Sequence, residues 1–189
     1  MQQFRDADFQ VFLRSLDAHL AVPFRVEIIG EAAAILAFHV KSGTGDIDVS
    51  SPIIQIAGMI EAAREDTGLQ IPMEQVGIYQ APYEYETRLK RLVLPGVEKL
   101  QVFTPEKHDW ALIKITRLLE KDIEDILEVA DMVGFSASIF LRRFLSEMTH
   151  VIGRREDLVW QFLTMMEELF GSKAAMRMEK AIRSHKHWR

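Results

Sequence analysis

FRVEIIGEAAAILAFHVKSGTGDIDV, residues 24–49, decides how this chain is read. Phe24 to Ile29 alternates apolar and polar residues and then runs apolar, the pattern of a short strand. Gly30 ends that run. Glu31 to Phe38 (EAAAILAF) predicts a helix starting directly behind the glycine. Lys41 to Gly45 is a turn-rich loop, and Asp46 to Val49 returns to strand character. On that second strand, side chains at i and i+2 share a face. Ile47 then enters the core while Asp46 and Asp48 point out together.

Two neighbouring carboxylates repel unless a cation sits between them. Mg²⁺ accepts such oxygen ligands and keeps further positions for substrate phosphates. Two solvated aspartates at the start of a strand would give the same Asp-x-Asp. Gly30 also has two readings. It lets backbone approach a phosphate, with the first N–H groups of the helix receiving the anion, or it serves a purely steric turn.

Outward from this stretch, Phe4 to Leu20 predicts a helix, with Phe9, Phe12, Leu13 and Leu16 at helical spacing and Pro23 as its stop. Pro52 to Thr67 predicts another, closed by Gly68. Val76–Tyr79, Glu86–Leu94 and Leu100–Phe103 predict three strands, the last two joined through Pro95-Gly96. After Pro105 the chain has no proline and long helical periodicities. Helices are expected near 107–120, 122–133, 136–150, 155–170 and 172–185, with Gly134, Gly153 and Gly171 as punctuation. The fold class is therefore α+β: a small mixed sheet in residues 1–105, then a helical region, 106–189, packed on it.

Composition narrows the function classes. The 189 residues include no cysteine, which excludes disulfides and cysteine-based zinc sites. The polar N-terminus lacks the apolar core of a signal peptide, and no apolar run approaches a membrane span, so a cytoplasmic protein with no membrane partner is expected. The net charge is −5, yet residues 173–189 carry six Lys/Arg against one Glu. That asymmetry fits either a nucleic-acid contact or a solvated last helix. The apolar stripes within 139–170 would serve an interior bundle or a homodimer alike. Trp110 and Trp160 are expected in the core or between helices, and Ser136 and Ser138 at a helix cap.

A third feature is HDWALIKITRLLEKDIEDI, residues 108–126. Read as a helix, it places Lys114, Arg117 and Lys121 on one face and groups Asp122 with Asp125. A cationic row suits a triphosphate; ion pairs on a surface helix explain it equally.

Taken in order, IIGEAAAIL, TGDIDV and DWALIKITRLLEKDIEDI resemble the AbiEii-like branch of the minimal nucleotidyltransferase superfamily, over about residues 24–133. Gly30, Thr44, Asp46, Asp48, Asp109, Lys114, Arg117, Lys121, Asp122 and Asp125 fall on its pattern. The resemblance implies Mg²⁺ (or Mn²⁺) on Asp46 and Asp48, and an NTP held with the help of Gly30, Thr44, Lys114 and Arg117. It implies transfer to a hydroxyl of RNA, with tRNA a candidate, or of protein, and toxin–antitoxin pairing with an antitoxin protein. A third carboxylate is expected on a strand beside Asp46–Val49; Glu84 and Glu86 are the candidates, with Glu86 preferred. Asp122 belongs to the site or is a structural partner of Lys114 or Lys121. Glu31 and Ser42 depart from the pattern, where a small residue and an arginine are usual. They support the alternative of a catalytically silent binding or regulatory module on the same fold.

Overall fold

A computed structural model describes residues 2–77 and 79–188 and gives an α+β protein. Its chain divides into two compact units. One comprises Met1–Ile78 and Leu89–Pro105; the other comprises Tyr79–Arg88 and Glu106–Arg189.

The first unit holds the sheet. In chain order its elements are α1 (Asp6–His19), β1 (Phe24–Glu27), α2 (Gly30–Phe38), β2 (Ile47–Val49), α3 (Ala57–Thr67), β3 (Met73–Gln75), β4 (Lys90–Arg91) and β5 (Leu100–Thr104). β5 lies between β1, which it pairs in parallel, and the antiparallel β4. β2 pairs in parallel with β3. An antiparallel bridge between Ile28 and Val49 ties the two ladders, flanked by Ile29 N–H to Asp48 O and Ser50 N–H to Glu27 O, both 2.9 Å. Val26, Ile28, Ile47, Val49 and Val102 form the buried face and are fully enclosed. On α1 the predicted stripe Phe9, Phe12, Leu13 and Leu16 is buried.

A buried carboxylate fixes the start of β5. Asp17 Oδ1 accepts from the backbone N–H groups of Glu98 (3.1 Å), Lys99 (2.6 Å) and Leu100 (2.5 Å). It thereby satisfies donors that a short strand entering from a loop leaves unpaired.

Three expectations are corrected here. The helix expected from Pro52 begins as a 3-10 turn, Ile54–Ile56, and becomes α-helical at Ala57. The strand expected at 76–79 lies earlier, at Met73–Gln75, and Ile78 falls outside the described residues. The strand expected at 86–94 shrinks to Lys90–Arg91, and Tyr85–Arg88 is a 3-10 turn. Residues 79–88 belong to the helical unit, where the Arg88 guanidinium binds Asp109 and Glu147, so the chain before Leu89 does not extend the strand.

The helical unit contains α4 (Lys107–Ile115), α5 (Glu120–Val133), α6 (Ala137–Glu147), α7 (Arg155–Phe170) and α8 (Ser172–Ser184). Gly134 and Gly171 stand at positive φ where α5 and α7 end. The apolar stripes of α6 and α7 are taken up inside the unit: Phe140, Phe144, Phe162, Met165 and Met166 have no exposed surface. Phe144 stacks on Phe162 at 4.0 Å and on Trp188 at 4.4 Å. Trp110 is buried as expected, but Trp160 is 66% exposed. It lies about 200° around the helix from Leu158 and from Phe162, which sets it opposite the buried stripe. Ser136 takes the cap position of α6 without capping; its hydroxyl pairs with that of Ser138 at 3.0 Å. No helix among the described residues is long and apolar enough to cross a membrane.

Candidate active site

In the sheet unit Gly30 lies against Asp48, and Thr44 lies against Asp46. Burial alternates along residues 46–50 as the strand period requires: Ile47 and Val49 are enclosed, while Asp46, Asp48 and Ser50 are half-exposed. Thr44 is buried and donates its hydroxyl to Asp46 Oδ1 at 3.3 Å. The Thr44 backbone is pinned in both directions by Phe4, at 2.8 and 3.1 Å. The loop that delivers the two carboxylates is thus anchored at its threonine.

Gly30 is required twice over. Its φ of +65° is the left-handed region that side chains avoid. A Cβ there would also stand 2.9 Å from Asp48 Oδ2. The strand-to-helix turn therefore presses backbone directly against the second carboxylate, and α2 starts at that point. By lacking a side chain, the glycine makes room for Asp48 at the mouth of a helix N-terminus.

Two half-exposed carboxylates flanking buried Ile47, beside the Gly30 turn, are the kind of donors Mg²⁺ takes, since it accepts one or two carboxylates and fills its octahedron with water and phosphate oxygens. Among the described residues no three His, Asp or Glu side chains form a metal cluster. The register also sets Glu74 of β3 directly across from Asp48. Sequence reading missed Glu74 because β3 buries only Met73 and shows no alternation. Glu86, the preferred third carboxylate, stands instead in the 3-10 turn of the helical unit, with Glu84 just before it. Neither lies on a strand next to β2, whose ladder partner is β3.

The remaining predicted residues belong to the helical unit, in a form the continuous-helix reading did not foresee. α4 stops at Ile115, Leu118 takes φ +40°, and α5 begins at Glu120. Lys114, Arg117 and Lys121 consequently sit on a helix, a turn and a second helix rather than along one face. Asp122 organises the turn. Its Oδ2 accepts from Leu119 N–H at 3.0 Å, and its two oxygens receive the Arg117 fork, Nε and Nη2, at 2.8 Å each. Lys114, 3% exposed, donates to Asp122 Oδ1 at 3.0 Å and Asp125 Oδ2 at 2.6 Å. Burial alone would raise the Asp122 carboxyl, but the Arg117 hydrogen bonds and the Lys114 charge hold it below the usual range.

A second buried network joins α4 to α6. Glu106 caps α4 by accepting from His108 N–H at 3.1 Å, and it also receives Arg143 Nη1. His108 Nε2 accepts from the Ser136 N–H at 2.9 Å, so the ring proton is on Nδ1 and points to Glu106 Oε1, 2.9 Å away. Asp109, fully buried, is held by Arg88 at 2.9 and 3.0 Å and by Arg143 at 2.8 Å.

Burial opposes ionisation of Glu106, yet hydrogen bonds from His108 and Arg143 carry its pKa down from 4.5 to about 2. Between those values the unfolded chain takes up a proton that the folded chain refuses. The contribution is therefore present above pH 4.5 and is lost as pH falls toward 2, by on the order of 1–2 kcal/mol for this group after solvent screening of a half-buried carboxylate. Urea unfolding followed from pH 5.5 down to about 2.5 should show that loss, and Glu106→Gln should flatten it; an unchanged slope would remove Glu106 from the acid response.

A family model described as a nucleotidyltransferase of unknown function (DUF6036) matches residues 10–177. No curated protein and no solved structure matches the chain. The match runs through both units, including the Gly30 turn, the Asp46/Asp48 strand and the Lys114–Asp125 turn, and the chain belongs to this nucleotidyltransferase family.

Proposed function

We propose that the protein transfers a nucleotidyl group from an NTP to a hydroxyl acceptor, with Asp46 and Asp48 as the ligands of Mg²⁺ (or Mn²⁺). The observation that carries this reading is the close approach of the Gly30 turn to Asp48, with Asp46 just before β2 half-exposed like Asp48 and Ile47 buried between them. When bound, the metal would supply positive charge to the α-phosphate and lower the cost of in-line displacement. Thr44 orients Asp46 through its hydroxyl. The first N–H groups of α2 offer donors to a phosphate oxygen. In the reaction the acceptor oxygen bonds to the α-phosphorus, the bond to the β-phosphate bridge breaks, pyrophosphate leaves, and the acceptor proton passes to solvent.

The finer assignment to the AbiEii-like branch rests on the resemblance of residues 24–133. With it go tRNA as acceptor and an antitoxin protein as partner. A silent binding module is the second reading. It is favoured by Glu31, which places a negative charge in the first turn of α2 where an incoming phosphate would sit.

Incubation with each α-labelled NTP, Mg²⁺ and total tRNA separates the two. Label should enter RNA or protein with wild type and fall by about 10³-fold in Asp46→Asn/Asp48→Asn, with the melting temperature kept. No transfer and no NTP binding by wild type would leave the silent module.

A further inference from the structure

All three tyrosines of the chain line one cavity of about 580 Å³ in the helical unit. Its walls come from the 79–88 segment and from His150, which follows α6. Tyr79 and Tyr85 meet edge to face at 5.9 Å, and Tyr83 meets the His150 ring at 5.6 Å. Glu84 and Glu86 also line the cavity. None of the described residues lining the cavity is Lys or Arg. Arg88, the segment's arginine, is turned onto Asp109 and Glu147.

The segment is also fastened. Tyr83 N–H donates to Glu147 O at 2.8 Å, Arg88 reaches Tyr83 O at 3.3 Å, and Gln80 Oε1 accepts from Ile152 N–H. The backbone that carries Tyr83 is thus tied to the end of α6, and Gln80 to the turn after it. Glu84 holds φ +58°, a conformation that glycine or asparagine adopts more easily. The chain keeps a carboxylate there all the same.

Electron-rich ring faces attract cations, and carboxylates with no lining Lys or Arg add to that field. The same lining repels phosphate. We propose that this cavity is a binding site for a small organic cation, an ammonium or guanidinium group, caged by Tyr79, Tyr83 and Tyr85 and paired with Glu84 and Glu86. The volume is in the range of small-molecule sites. This site does not rest on the transferase reading, and neither stands or falls with the other.

The full-length protein is titrated with choline and with agmatine, by calorimetry and by saturation transfer to the tyrosine ring protons. Choline's neutral isostere 3,3-dimethyl-1-butanol and the nucleoside cytidine serve as comparisons. At least one cation should bind saturably while the isostere does not. Glu84→Gln/Glu86→Gln should weaken binding about tenfold, and Tyr83→Ala by a similar factor. Glu84, Glu86 and Tyr83 are exposed, so these variants should keep the wild-type melting temperature. Equal binding of the isostere, preference for cytidine, no saturable cation binding, or affinity unchanged in both variants would each overturn the proposal.

Discussion

Lys114→Ala is expected to cost the helical unit about 4 kcal/mol of unfolding free energy, because it removes a buried ammonium that donates to two buried carboxylates. Asp122 is 1% exposed and Asp125 8%, and Lys114 is the group that donates to both. Asp122 retains Arg117 and the Leu119 amide; Asp125 loses the 2.6 Å partner. Removing both ends of the pair should be milder, so Lys114→Met/Asp125→Leu should recover part of the loss. Urea unfolding monitored through Trp110, whose ring lies 5.3 Å from the Lys114 ammonium, reads it directly. A loss below about 1 kcal/mol, together with abolished nucleotide transfer, would overturn the anchoring role and return Lys114 to the phosphate-binding role that the resemblance implies.

Asp109→Ala should act with comparable force. This carboxylate has no exposed surface and sits between two guanidinium groups, so its removal leaves Arg88 and Arg143 close together in a poorly solvated place. About 4 kcal/mol is expected, and the damage should spread along a defined path. Arg88 ties the 79–88 segment to α4 and to Glu147, so hydrogen exchange of the Tyr83 amide should accelerate with it. Unchanged protection at Tyr83 would mean that Glu147 alone anchors the segment.

The parts of the fold that follow from chain periodicity were legible in the sequence. The β1–Gly30–α2–β2 unit and α7 at residues 155–170 announce themselves by alternation, by a 3.6-residue stripe and by glycine stops. What stayed hidden has side-chain causes. The break after Ile115 carries no glycine or proline; it is made by Asp122 capping Leu119 while Leu118 accepts a left-handed backbone. β3 has three residues and one buried side chain, too little for a period to register. The 85–88 turn depends on Arg88 finding partners 21 and 59 residues away. Charged residues read as surface in any hydropathy pattern, so Asp17, Asp109, Lys114 and Asp122 could not be seen as interior. At the candidate site, the outward placement of Asp46 and Asp48 on either side of buried Ile47 was readable from strand period. The reason for Gly30 was only half readable: its close approach to Asp48 emerges from the turn geometry.

The route of the chain between its two units has a consequence for how the protein is made. The sheet unit is interrupted after residue 78 and resumes at residue 89 with β4 and β5. β5 is the strand that occupies the free side of β1. During synthesis from the N-terminus, β1, β2 and β3 therefore exist for a time with the β1 edge uncovered, and such an edge invites pairing with another chain. That period ends only when residue 104 has emerged. Cutting the gene at the first crossing would make the open edge permanent, so the smallest independent piece of the sheet unit has to run through Pro105 and carry residues 79–88 with it.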